Sequence, residues 1–130
     1  MITKTFPPYD LPDDCKYFED YVKVQGIKYN ENEVFRFIPN PQHQMSLQLE
    51  LEPYNKVDKN AIKVIGIVKK LFGSKRYFIG YVPAEISAHI YKKGWQNEVK
   101  AILTKISYDE DYSELRYPSI NIIFAIYVPL

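Results

Sequence analysis

Few residues of this 130-residue chain are of a type that could do covalent or metal chemistry. A nucleophile needs a base held beside it. The candidates are His43, in a proline-flanked loop, His89, in a short predicted helix, and Cys15, in an irregular leading segment. Nothing in their spacing brings the three together. Asp109, Glu110 and Asp111 are consecutive and lack the spaced oxygen ligands of a calcium loop. They read as a solvated turn. Neither CxxC nor HExxH occurs, and the five glycines are too scattered for a phosphate-cradling loop. The expectation is therefore no catalytic residue, no metal, no cofactor, and a protein that is not an enzyme.

One stretch points to binding chemistry instead. Residues 52–64 read EPYNKVDKNAIKV, where Pro53, Asn55, Asp58 and Asn60 separate two apolar alternations. Asn and Asp side chains hydrogen-bond nearby backbone and tolerate tight turns, so four turn formers here specify a rigid loop. Part of that rigidity is ordinary strand connection. A carboxylate held stiffly at Asp58 beside Asn55 also suits an acceptor for a ligand hydroxyl. The chain has twelve tyrosines and one tryptophan. Exposed aromatics beside lysines are what single-strand binders use to stack bases and hold phosphates, although most tyrosines in a fold this small are packing.

These residues must be positioned by the elements around them. Residues 1–19 read as an irregular arm, with Pro7, Pro8 and Pro12 among Asp10, Asp13 and Asp14. A single domain over residues 20–130 follows. A strand is predicted from about Tyr21 to Lys28, and residues 35–44 end in a proline-marked loop. Met45, Leu47, Leu49 and Leu51 alternate with polar residues, the period of a half-buried strand. Ala61–Ile67 makes the next strand, and Phe72–Lys75 its hairpin connection to a return arm through Tyr77, Phe78, Ile79 and Val82. Pro83, then Ile86 and Ile90, then Lys92, Lys93 and Gly94 mark one short helix over 83–93. Strands at 99–108 and 120–128 close the chain. The expectation is a mainly β fold with one or two short helices, arranged as a small six-stranded OB-like or SH3-like barrel.

Composition agrees with a folded, intracellular module. Hydrophobic residues make up 46%. A single cysteine suits a reducing compartment. The first residues lack the apolar core of a signal peptide, and no apolar run is long enough to span a bilayer. A cytoplasmic protein without membrane attachment is expected. Net charge is +1, but residues 55–105 carry eleven Lys/Arg against three Asp/Glu, between acidic ends. A basic middle can present one positive face to a phosphate backbone.

VQGIKY (24–29), LQLELEPYNKVDKNAIKV (47–64) and IGYVPAEISAHI (79–90), in that order, resemble the HIRAN domain family. Its members occur in DNA-repair helicase-like proteins and as small stand-alone bacterial proteins. The resemblance covers roughly residues 20–106. It implies a module that captures the 3′ end of single-stranded DNA, reading the free 3′-hydroxyl and stacking terminal bases, in DNA repair or processing. It implies Lys28 and Tyr29 as the pair that meets the bases, Asn55 as the loop asparagine and Asp58 as the acceptor of the 3′-hydroxyl. Tyr81 occupies the position after IG, and Tyr54 stands near enough to take part. Three positions depart from the family pattern. Val57 replaces a tyrosine, Lys28 an arginine, which gives up planar stacking, and Ala84 a basic residue. The second stacking aromatic falls to Tyr108 or Tyr112. Partners implied are single-stranded DNA and a helicase or nuclease. The competing reading is a non-catalytic protein-interaction or scaffold module on the same barrel, which predicts no DNA binding at low salt and an exposed apolar patch.

Overall fold

The computed structural model describes all of residues 1–130. Seven strands form two antiparallel sheets. One has the order β1-β6-β7-β2, from β1 (Ile2–Thr5), β2 (Cys15–Lys23), β6 (Lys100–Tyr108) and β7 (Ile120–Pro129). The other has the order β3-β4-β5, from β3 (Met45–Leu51), β4 (Ile62–Lys69) and β5 (Ser74–Tyr81). Two helices, α1 (Glu31–Phe37) and α2 (Ala84–Lys92), complete the chain with three short 3-10 turns.

The alternation in β3 is as expected: Met45 and Leu47 are buried, Ser46 and Gln48 exposed. β4 and β5 form the predicted hairpin. β7 is an inner strand and is buried without interruption from Ile122 to Ile126, which accounts for its near-continuous apolar run. Residues from both sheets and both helices share one core of 21 buried side chains, including Phe37, Ile62, Val64, Ile90, Ile106 and Phe124. Gly66 of β4 lies under Phe37, whose ring atoms sit 2.7 Å from where a side chain would begin. The missing side chain lets α1 seat against the sheet.

The mainly β class holds, and the six-stranded closed barrel does not. The count is seven strands, and the two sheets are joined by a single bridge between Gln25 and Tyr81. β3 and β6 pack together without pairing, so one seam stays open. The leading segment is also more regular than expected. Ile2–Thr5 pairs with Lys105–Tyr108, and β2 begins at Cys15, leaving only residues 6–14 without strand or helix. Lys4 Nζ donates to the Ile38 carbonyl at 2.7 Å, and Gln42 Nε2 to the Thr5 carbonyl at 2.7 Å, fastening β1 to the segment after α1. Four residues whose partners lie a hundred positions away leave no periodic trace. The strand predicted over Tyr21–Lys28 ends at Lys23, and Ile27–Tyr29 is a 3-10 turn. No helix is long and apolar enough to cross a membrane.

Candidate nucleic-acid interface

The loop between β3 and β4 is wired by its own side chains. Its neck closes with Glu52 N–H donating to the Ala61 carbonyl at 3.0 Å. Asn55 Oδ1 accepts from the N–H groups of Val57 and Asp58, both at 2.9 Å. Asp58 Oδ1 accepts from Asn60 N–H at 2.9 Å, and the Asp58 carbonyl from Ala61 N–H at 3.0 Å. One oxygen of a half-buried carboxylate is thus fixed to the backbone. The other has no protein donor.

Glu52 anchors this loop to β5. Its Oε1 accepts from Asn55 Nδ2 at 2.7 Å and from the Tyr81 hydroxyl at 2.8 Å, and Lys63 Nζ lies 3.6 Å from its Oε2. The bonds from Asn55 and then Tyr81, helped by the Lys63 ammonium, hold the Glu52 carboxyl below the usual carboxylate range, against the opposing effect of burial. Burial, and then the bond to Glu52, push the Tyr81 phenol up. With its hydroxyl committed, Tyr81 has a ring to offer and no free donor. Asn55 is likewise engaged at both ends of its amide, so it orders the loop. Nothing in its residue type separates that role from ligand contact, and Glu52 was overlooked because a single Glu at a strand end looks like surface.

Two pockets meet at Gln25. Asn55, Val57, Asp58, Tyr81, Ala84 and Gln25 line a shallow one of about 240 Å³. Gln25 to Tyr29, with Glu31, Pro118 and Ile120, line another of about 420 Å³. Gln25 is held to Tyr81 by reciprocal backbone bonds of 2.9 and 2.8 Å. That approach requires a glycine at position 80, where a side chain would begin 2.3 Å from the Gln25 carbonyl oxygen. The Tyr29 and Tyr81 rings flank Gly26, each about 4 Å from the point where a side chain there would start. Lys28 Nζ sits 5.1 Å from the Tyr29 ring centre, and that ring is 79% exposed. Tyr29 and Lys28 thus line the pocket on one side of Gln25, and Tyr81 and Asp58 the pocket on the other.

The model of the HIRAN domain family matches residues 17–128. The chain belongs to the HIRAN domain family. No curated protein and no solved structure gave a significant match. HIRAN domains are a family of nucleic-acid-binding modules.

Of the six site residues predicted for this HIRAN domain, Lys28, Tyr29, Asn55, Asp58 and Tyr81 gather around Gln25. Tyr54, 91% exposed at the loop tip, lines neither pocket. The candidates for a second stacking aromatic are placed elsewhere. Tyr108 is buried, and Tyr112 is packed edge-on against Phe35 and Tyr108, with ring centres 5.0 and 5.3 Å away. Tyr117 was missed. It is 83% exposed, carries the Arg116 guanidinium 5.3 Å from its ring centre, and precedes Pro118 in the wall of the Tyr29 pocket.

Two of the eleven basic residues in 55–105, Lys63 and Arg76, are paired with carboxylates. Lys63 bonds Glu50 at 3.0 Å, and Arg76 bonds Glu50 at 2.8 Å and Gln48 at 3.0 Å. Register puts these residues on the outer face of β3-β4-β5 and leaves that face near neutral. No group of three or more His, Cys, Asp or Glu side chains is arranged to hold a metal ion.

Proposed function

We propose that this HIRAN domain binds single-stranded DNA at a free 3′-hydroxyl end, as a non-catalytic module in DNA repair or processing. The observation that carries the reading is Asp58. One carboxylate oxygen is spent on Asn60 N–H, the other has no protein donor, and Asp58 lines a pocket shared with Tyr81. A free carboxylate oxygen accepts from a hydroxyl and repels a phosphate, so it distinguishes the two kinds of strand end. Tyr81 in this pocket and Tyr29 across Gln25 supply faces for the terminal bases, and Lys28 a counter-charge for phosphate. Ala84 in the pocket wall leaves this side without a cation, so binding leans on stacking and hydrogen bonding more than on charge. A helicase or nuclease acting on the same end is the partner class that suits such a module.

Fluorescence anisotropy with a labelled ten-nucleotide strand tests the reading. Tighter binding to a 3′-hydroxyl than to a 3′-phosphate end at low salt is expected, with affinity falling as salt rises. Equal binding to the two ends removes end recognition.

The second reading is a protein-interaction module. Val57 favours it, being 97% exposed at the rim of the same pocket, where it offers an apolar contact and no stacking face. Absence of binding to either strand at low salt would select it.

A further inference from the structure

The turn between β4 and β5 carries Leu71 and Phe72 side by side, 90% and 91% exposed. Neither touches the core. Single exposed apolar residues are ordinary, but two large ones together at the end of a hairpin are not. Lys69, Lys70 and Lys75 surround them, and residues 69–76 contain no carboxylate. The side chains of Lys69 and Lys75 make no hydrogen bond or ion pair, and that of Lys70 reaches only the Asn40 amide oxygen, at 3.3 Å. Arg76, one residue further, is already committed to Glu50. The tip is therefore an apolar knob in a collar of three lysines without acidic partners.

β5 runs from this tip, at Ser74, to the candidate site, at Tyr81. Seven steps at ~3.3 Å each separate them by about 23 Å. The near-neutral outer face lies between. We infer that the Leu71–Phe72 tip is a second contact for the same single strand, meeting it upstream of the captured 3′ end. Phe72 offers a stacking face, and the lysines bind phosphates. The charge of the collar selects a polyanion, and an aromatic knob on a polyanion site suits unpaired bases. The inference rests on the end-capture reading for the direction of the strand. At ~3.4 Å per stacked nucleotide the span is about seven nucleotides, and fewer when the strand is stretched. Two contacts on one strand raise affinity only when the strand reaches both.

The test compares a three-nucleotide with a twelve-nucleotide strand, by competition anisotropy, for the unaltered protein and two double variants. These are Leu71→Ser with Phe72→Ser, and Lys70→Gln with Lys75→Gln. All four positions are exposed, and circular dichroism checks folding. Each variant is expected to bind the twelve-mer at least about fivefold more weakly, matching loss of one stacked base or two phosphate contacts. Trimer affinity and the preference for 3′-hydroxyl over 3′-phosphate should not change. The lysine variant should also flatten the salt dependence, by about 1.4 in the log–log slope. Unchanged twelve-mer binding overturns the inference, as does an equal loss on trimer and twelve-mer. Tip-dependent binding to anionic vesicles without an effect on the twelve-mer also overturns it, assigning the knob to lipid. The two readings fail separately: no hydroxyl preference with the length step intact removes end capture alone, and a hydroxyl preference without the step removes the tip contact alone.

Discussion

Replacing Glu52 with alanine should damage both the fold and the site. The carboxylate accepts two hydrogen bonds, from Asn55 and Tyr81, and its side chain is 25% exposed. A hydrogen bond to a charged group contributes about 1.5–3 kcal/mol when shielded. Water can replace part of each bond here, and the Lys63 contact at 3.6 Å is a weak surface pair. Together these give a loss of about 2 kcal/mol, read from urea unfolding followed by tyrosine fluorescence. Glu52→Gln keeps a carbonyl acceptor and should recover about half of it. The pH dependence separates the charge from the shape. Because folding lowers the Glu52 pKa, its stabilisation is present above the ordinary glutamate value of about 4.3 and is lost as pH falls through the folded value. Glu52→Gln should remove that part of the acid destabilisation. In the site, freeing the Tyr81 hydroxyl and Asn55 should weaken discrimination between strand ends. A loss in Glu52→Ala below about 0.5 kcal/mol, within the range of ordinary surface changes, would refute the anchoring argument.

Other outcomes follow from the same geometry. Gly80→Ala places a side chain against the Gln25 carbonyl, which is backbone and cannot step aside. A destabilisation of about 3 kcal/mol or more is expected, with loss of hydrogen-exchange protection at the Gln25 and Tyr81 amides as the specific signature. Tyr117→Ala removes an exposed ring and should leave the unfolding midpoint unchanged. Its affinity for single-stranded DNA should fall by the 1–3 kcal/mol of a stacked base, whereas Tyr112→Ala should destabilise the fold. Asp58→Ala should cost about 1 kcal/mol of stability through the lost bond to Asn60 N–H, and Asp58→Asn should retain that bond.

The parts of the molecule legible in the sequence were those set by short-range rules. The alternation through Met45–Leu51 and the Pro83-to-Gly94 signals of α2 are local, and both elements form where the pattern places them. The rigidity of residues 52–61 was readable too, because Asn and Asp act on backbone two or three residues away. What stayed hidden depends on distant partners. β1 exists only through its pairing with β6. α1 spans two turns, too few for Val34 and Phe37 to show a helical period. Lys28 and Tyr29 were expected on a strand, but after Lys23 the chain turns to bridge β5 at Gln25. The neutralisation of Lys63 and Arg76 by Glu50 and Glu52 needs the register of three strands, which net charge along the chain does not contain.

The most direct measurement is the ratio of affinities for 3′-hydroxyl and 3′-phosphate strands, taken for the unaltered protein and for Asp58→Asn. The asparagine keeps Oδ1 for the turn and replaces the free, charged oxygen with an uncharged NH2 donor. The account predicts a clear preference for the hydroxyl end in the unaltered protein. In Asp58→Asn the ratio should collapse toward one while circular dichroism and the unfolding midpoint hold. A preference that survives Asp58→Asn intact, or none in the unaltered protein, would contradict the assignment of this carboxylate as the reader of the strand end.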